Sequence, residues 1–220
     1  MLTLVPTPVG NLKDITLRAL DVLREAETVL AEDTRKTRIL LDHYQIKAPM
    51  ESFHAHNEHQ RVRGLVERLQ KGAKLALCTD AGTPGISDPG FLLVRACVEA
   101  GVEVDCLPGA TAFVPALVMS GLPADRFLFE GFLPPKGKTG RLQKLVAEPR
   151  TLIFYESPHR IGRTLALMAE VLGPERRIVI AREISKMHQE CIRLTLGQAA
   201  EQIKDESIRG ELVLVVQGAA

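Results

Sequence analysis

Hydrophobic and polar positions in the first half of this 220-residue chain switch repeatedly between two periods. Short apolar runs at Leu2–Val5, Thr28–Ala31, Lys74–Cys78 and Val102–Leu107 read as buried strands. Between them lie stretches with helical spacing. One follows Asp14, a candidate cap, and presents Ile15, Ala19, Val22, Leu23 and Ala26 on one face. Thr37–Tyr44 reads as a second helix, and Glu58–Lys71 repeats the spacing through Val62, Leu65, Val66 and Leu69 before Gly72 stops it. Asp88-Pro89 reads as an N-cap and first-position pair for a helix that runs to Glu99 and ends before Gly101. Strands alternating with helices every few tens of residues predict a mostly parallel sheet covered by helices.

The texture changes past Met119. Phe127–Phe132, Thr151–Tyr155, Arg177–Arg182, Cys191–Leu196 and Glu211–Gln217 are strand candidates, with helical spacing only at Arg141–Glu148 and Pro158–Leu172. Fewer helices per strand predict a mixed sheet with antiparallel pairs. The expected fold class is α/β in two domains, 1–119 with a parallel sheet and 120–220 with a mixed one, joined through Ser120–Arg126.

Composition narrows this picture little. Hydrophobic residues are 45% and aromatics 4%, with no Trp, so the cores are expected to be aliphatic. A chain of this size buries about 70% of its unfolded surface and needs no disulfide or metal to hold together. The 28 basic and 27 acidic residues exclude a general coating of positive charge, not a local patch for nucleic acid. The four cysteines, Cys78, Cys97, Cys106 and Cys191, form no C-x-x-C pair and read as reduced structural residues. The chain opens directly on a strand-like MLTLVP, and no run approaches the ~20 apolar residues of a membrane span. A cytoplasmic protein without membrane contact is expected.

The chemistry concentrates where strands are predicted to end, the place where open α/β sheets bind ligands. Four segments stand out: Thr7-Pro8-Val9-Gly10-Asn11, the loop Thr79–Gly90 (TDAGTPGISDPG), Pro108-Gly109-Ala110-Thr111, and Glu156-Ser157-Pro158-His159-Arg160. In the second, Gly82 and Gly85 allow positive φ and close approach, Pro84 and Pro89 stiffen the chain, and Asp80, Thr83, Ser87 and Asp88 supply oxygens. Such a loop suits a zwitterionic, hydroxyl-bearing ligand; it also suits tight turns that lead into a helix.

Other templates fit poorly. No G-x-G-x-x-G follows a strand, which argues against a dinucleotide site. Gly137-Lys138-Thr139 looks like the end of a phosphate-binding loop, but the place of its first glycine is taken by Phe132, and Pro134 and Pro135 remove N–H donors. His54, His56 and His59 lack a Cys or carboxylate at a compelling metal-ligand spacing, so no metal is expected.

Taken in order, these loops resemble the tetrapyrrole methylase superfamily of methyltransferases, and within it the branch that methylates the ribose 2′-hydroxyl of a cytidine in 16S rRNA. The resemblance rests on TPVGNLKDITLRA (7–19), AEDTRKT (31–37), HAHNE (54–58), TDAGTPGISDPG (79–90), LPGATA (107–112), GFLPPKGK (131–138), FYESPHR (154–160), ARE (181–183) and RGELVLVV (209–216). It implies two α/β domains, a homodimer, 16S rRNA or the small ribosomal subunit as partner, and S-adenosylmethionine held in a cleft between the domains. The implied cofactor contacts are Thr7, Pro8, Asp80, Ala81, Gly82, Thr83, Pro84, Gly85, Ile86, Thr111 and Ala112 from the first half, with Tyr155, Gly210, Glu211 and Leu212 from the second.

Methyl transfer from a sulfonium to a hydroxyl needs in-line approach, exclusion of water and a way to remove a proton. The catalytic candidates are carboxylates that follow strands, Asp33 and Glu156, with Asp80 a further one. Glu156 reads equally well as a helix-cap or salt-bridge residue. Arg35, Lys36 and Arg38, together with Lys136, Lys138, Arg141 and Lys144, form two basic clusters beside these loops that could hold RNA phosphates. Two other functions suit the same loops: methylation of a small molecule such as a tetrapyrrole, and cofactor binding without turnover. AEDTR and HAHNE favour the RNA branch.

Overall fold

The computed structural model describes residues 1–205 and 207–219, which divide into two compact units, Met1–Thr111 and Ala112–Ala220. The first contains β1 (Leu2–Leu4), α1 (Leu17–Glu25), β2 (Thr28–Ala31), α2 (Thr34–His43), β3 (Met50–Ser52), α3 (Glu58–Gln70), β4 (Leu75–Cys78), α4 (Phe91–Glu99) and β5 (Val104–Cys106). Its sheet runs β3-β2-β4-β1-β5 with every pair parallel. Side chains alternate along each strand, so neighbours feed opposite cores. Val29 and Ala76 join Leu20 and Leu23 of α1 and Leu41 of α2, whereas Leu30, Leu75 and Leu77 join Leu65 of α3 and Leu93 of α4. Burial on both faces explains why β2 and β4 read as unbroken apolar runs.

Three helix starts of this unit differ from expectation, α2 beginning at Thr34 behind the Asp33 cap rather than at Thr37. Asp14 closes a single 3-10 turn, Leu12–Asp14, and the cap of α1 is Thr16, whose hydroxyl accepts the Ala19 N–H at 3.1 Å. Asp88-Pro89 stays in the loop, and α4 begins at Phe91 behind Gly90. The three-residue β3 is too short and too exposed to show as an apolar run.

The second unit contains α5 (Phe113–Ser120), β6 (Phe127–Phe132), α6 (Lys138–Gln143), β7 (Thr151–Glu156), α7 (Ile161–Leu172), β8 (Arg177–Arg182), β9 (Glu190–Thr195), α8 (Leu196–Gln202) and β10 (Leu212–Val216). Its sheet runs β6-β7-β10-β8-β9, with β6 parallel to β7 and the other pairs antiparallel. Ile161, Leu165 and Met168 of α7, Leu142 of α6 and Leu196 of α8 cover one face over Leu152, Phe154, Ile180 and Leu214. The other face meets α5, which packs on β10, β7, β8 and β9. That packing puts α5 in the second unit, and the division falls at Thr111/Ala112 rather than at the expected 119/120. The sequence hides α5 because FVPALVMS is apolar nearly all round, with Pro115 in its first turn. α8 hides behind the strand signal of Cys191–Leu196, yet a capping box starts it: Thr195 accepts from the Gln198 N–H at 3.2 Å, and Gln198 Oε1 accepts from the Thr195 N–H at 3.0 Å.

Candidate functional site

Because all five strands of the first sheet are parallel, the loops that follow them leave from one edge. The loop after β4 is sewn to its neighbours. Thr7 and Gly82 exchange two backbone hydrogen bonds at 2.9 Å each, the Thr7 hydroxyl donates to the Thr79 carbonyl at 3.0 Å, and the Thr83 hydroxyl donates to the Ala110 carbonyl at 3.1 Å. Gly82 and Gly85 hold φ of +80° and +83°, as their place in the loop suggested. A Cβ at Gly82 would lie 3.7 Å from the Ala110 oxygen, and one at Gly85 would meet nothing within 4 Å. Backbone conformation rather than crowding therefore demands glycine at both positions.

The acidic residues at this edge are bound into one network. The Asp80 N–H donates to Glu32 Oε2 at 3.2 Å, the Asp33 N–H donates to Asp80 Oδ1 at 3.2 Å, and Lys36 Nζ lies 2.6 Å from Asp80 Oδ2. Asp33 caps α2 by accepting the Arg35 N–H at 2.9 Å and also pairs with the Arg35 guanidinium at 2.7 Å. Hydrogen bonds from Arg35 hold the Asp33 carboxyl well below the usual carboxylate range. Burial pushes Glu32 upward instead, against the hydrogen bond it accepts from Asp80. Buried polar atoms with no partner in the structure include the hydroxyls of Thr79 and Thr111, which follow β4 and β5. Two such hydroxyls on glycine-bearing loops, one of which also carries the partly exposed Ile86, are a donor set of the kind that fits the polar and apolar parts of a nucleoside.

In the second unit the sheet register gathers motifs that lie far apart in the chain. Leu212 at the start of β10 pairs with Glu156 at the end of β7 and with Arg182 at the end of β8, while Phe132 pairs with Tyr155. GFLPPKGK, FYESPHR, ARE and RGEL thus meet at one sheet edge. The Glu156 side chain is 1% exposed. Its Oε1 accepts from the Ser157 N–H at 2.7 Å and pairs with Arg160 at 2.9 Å, and its Oε2 accepts from the Thr164 hydroxyl at 2.6 Å. Glu183, which no sequence signal singled out beyond its motif, accepts from the Glu211 N–H at 2.9 Å and from Lys186 at 2.8 Å; the Lys186 hydrogen bond lowers its pKa. Gly210 holds φ of +95°, which favours glycine, and a Cβ there would displace the Glu183 side chain, 2.5 Å from it.

The basic candidates are only partly at liberty. Arg35 pairs with Asp33, Arg38 lies 3.9 Å from Asp42, and Arg141 grips the 3%-exposed Glu130 side chain at 2.5 Å. Lys138 donates to the Thr164 hydroxyl at 3.3 Å, while Lys136 lies exposed in the loop before α6. Lys36 is not a free cation either: it is bonded to the Thr79–Gly90 loop through Asp80. His54 and His56 face each other edge-on with ring centres 5.8 Å apart, and no metal-holding group of three or more His, Cys, Asp or Glu occurs among the described residues. Cys78 is buried with its thiol pushed up to about 12, as suits a structural residue, whereas Cys106 is exposed. Among the described residues, no helix is long and apolar enough to cross a membrane.

This pair of sheets with loaded strand ends is the architecture of a family. The model of the Tetrapyrrole (Corrin/Porphyrin) Methylases matches residues 1–200, and the chain belongs to that family. Curated relatives named Ribosomal RNA small subunit methyltransferase I match along its whole length. That of Escherichia coli O157:H7 is 49% identical over 221 residues, covering 99% of this chain and 77% of the relative. That of Thermotoga maritima is 45% identical over 219 residues, covering 99% and 98%. Among solved structures, the methyltransferase CobJ superposes with a TM-score of 0.74 at 22% identity, covering 100% of this chain and 94% of that one. Uroporphyrin-III C-methyl transferase from Thermus thermophilus, solved with S-adenyl homocysteine, gives 0.66 at 22% identity, covering 98% and 96%. Both share the fold.

Proposed function

We propose that this protein is an S-adenosylmethionine-dependent methyltransferase that modifies the ribose 2′-hydroxyl of a cytidine in 16S rRNA. The observation that carries this reading is identity of 45–49% along essentially the entire chain to proteins named as small-subunit rRNA methyltransferases. The strand-end loops of the first unit support it with the donor set described above. AEDTR and HAHNE favour RNA over a small tetrapyrrole as the acceptor.

When bound, S-adenosylmethionine supplies a methyl group on a sulfonium. Thr7, Pro8, the Asp80–Ile86 loop, Thr111 and Ala112 are the proposed contacts in the first unit, with the Thr79 hydroxyl added. Tyr155 and Gly210–Leu212 are proposed as further contacts on the family resemblance. Asp33 is the proposed proton acceptor. Held in its ionised form by Arg35, it is a weak base, which suffices if the hydroxyl loses its proton only late, as the new bond forms. Orientation of the hydroxyl then supplies most of the acceleration. Glu156, both of whose oxygens are engaged, would act by holding Ser157 and Arg160 in place. Arg35, Arg38 and Lys136 are proposed phosphate contacts, with Lys138 and Arg141 beside them. A homodimer and a cytoplasmic location accompany this reading.

The test is mass spectrometry of rRNA ribose methylation in cells lacking the gene. Loss of a 2′-O-methylcytidine in 16S rRNA, restored by the gene, is expected; an unchanged methylation pattern would sink the proposal.

A further inference from the structure

The loop Thr79–Gly90 is held at both ends by carboxylates from elsewhere in the chain. At its start the Asp80 N–H donates to Glu32 Oε2 at 3.2 Å. At its end the N–H groups of Gly90 and Leu92 both donate to Glu58 Oε1 at 3.1 Å. Glu58, 7% exposed, is one of the few buried charged residues among the described residues.

This outside help has a physical cause. The loop folds back so tightly that the Gly85 N–H reaches the Pro89 carbonyl at 3.2 Å, and a Cβ on Gly90 would lie 3.3 Å from Gly85 N and 3.1 Å from Leu77. With φ at +136°, position 90 admits only glycine without strain. Glycine has no side chain, so α4 lacks the cap that a Ser, Asp or Asn would supply to its first N–H groups. Glu58 takes that role from α3, and a negative charge at a helix N-terminus is favourable in itself. Asn57 sets Glu58 in place: its Oδ1 accepts the His54 N–H at 2.9 Å, and the Glu58 N–H reaches the His54 carbonyl at 2.9 Å. At the other end the grip is reciprocal, because Asp80 accepts the Asp33 N–H at 3.2 Å.

We propose that Glu32 and Glu58 are positioning residues that hold the two ends of the Thr79–Gly90 loop and so preset its shape for the cofactor. The inference rests on the cofactor assignment made above and deepens it. It gives AEDTR and HAHNE a shared task, each bringing one glutamate to the loop. A preset loop need not be ordered when ligand arrives, so its clamps act through affinity.

The test uses the full chain and four variants, E32A, E32Q, E58A and E58Q, titrated calorimetrically with S-adenosylhomocysteine. Each alanine variant should weaken binding about tenfold, the scale of a lost hydrogen bond to a charged group. Each glutamine variant should stay within about threefold of the parent, since an amide oxygen accepts the same N–H groups. Should E58A fail to fold, E58D replaces it, its shorter side chain being unable to span both N–H groups. Parent-like affinity in folded alanine or aspartate variants would overturn the proposal, as would glutamine variants that lose as much as alanine. Hydrogen exchange without ligand provides an independent arm. The amides of residues 81–92 should exchange about tenfold faster in E32A and E58A than in the parent, and unchanged exchange there would overturn the clamp. A parent protein that binds no cofactor, yet whose variants loosen the loop, would sink the cofactor assignment and leave the clamp standing.

Discussion

The strand-end motifs of the two units solve opposite problems. In the first unit, side chains are spent on backbone: Glu32, Glu58, Asp80 and the hydroxyls of Thr7 and Thr83 each bind a main-chain group of a neighbouring loop. The hydroxyls of Thr79 and Thr111 remain without partners inside that frame. In the second unit, side chains bind mainly one another: Glu156 with Arg160 and Thr164, Glu183 with Lys186, Arg141 with Glu130. The difference teaches where recognition belongs. Under the proposed assignment, the frame that fixes backbone and leaves buried hydroxyls over takes most of the cofactor contacts, whereas the ion pairs of the second edge hold the segments of Tyr155 and Gly210–Leu212 in shape.

The comparison can be broken most severely at Glu156. Replacement by Ala leaves Arg160 without its buried partner and should destabilise the second unit by about 3 kcal/mol, read by urea denaturation. A loss below about 1 kcal/mol would show that the Glu156 network contributes little to that edge. The next effect falls on ligand binding. Val at position 82 or 85 must adopt positive φ, so G82V and G85V should weaken cofactor affinity tenfold or more, with about 1–2 kcal/mol of strain appearing in stability. Unchanged calorimetric affinity in either folded variant would make its glycine a turn residue only.

A smaller effect separates the two roles found on α2. Removing Arg35 and Arg38 together should weaken RNA binding and make its salt slope shallower by roughly 1 to 2, with cofactor affinity unmoved. Removing Lys36 alone should lower cofactor affinity, because its partner is Asp80 of the loop. Parallel titrations on one preparation of each variant check both; the reverse pattern would exchange the two roles.

The smallest expected effect is a pH dependence at Glu32. Burial raises its folded pKa above the ordinary 4.5, so its contribution to stability is full below that value and fades as pH rises through the raised one. E32Q cannot ionise. It should therefore gain stability relative to the parent as pH climbs from about 4 to 8, the window around a raised carboxyl pKa. Melting curves across that range that run parallel would show that Glu32 ionises without penalty.

Much of this was legible in the residues alone. Period and turn chemistry identified the parallel sheet of the first half, the mixed sheet of the second and the loop Thr79–Gly90, because apolar alternation and glycine–proline punctuation are local properties. The motif string likewise pointed to the family. What stayed hidden depends on contacts remote in sequence. Helix α5 carries no amphipathic signal because the second sheet and its surroundings define its faces. Glu58 looks like an ordinary first-turn acid of α3 until Gly90, 32 residues on, turns out to have no cap of its own. Lys36 looks like a free cation until Asp80, 44 residues on, is found beneath it. ARE and RGEL share an edge only because β10 runs antiparallel between β7 and β8. The sequence alone determined most of the strands, helices and stiff loops, with β3, α5 and α8 excepted, since neighbouring side chains largely decide local conformation. Tertiary structure alone decided which carboxylate serves which backbone group, since a buried N–H must be paired and the chain folds until some distant oxygen reaches it.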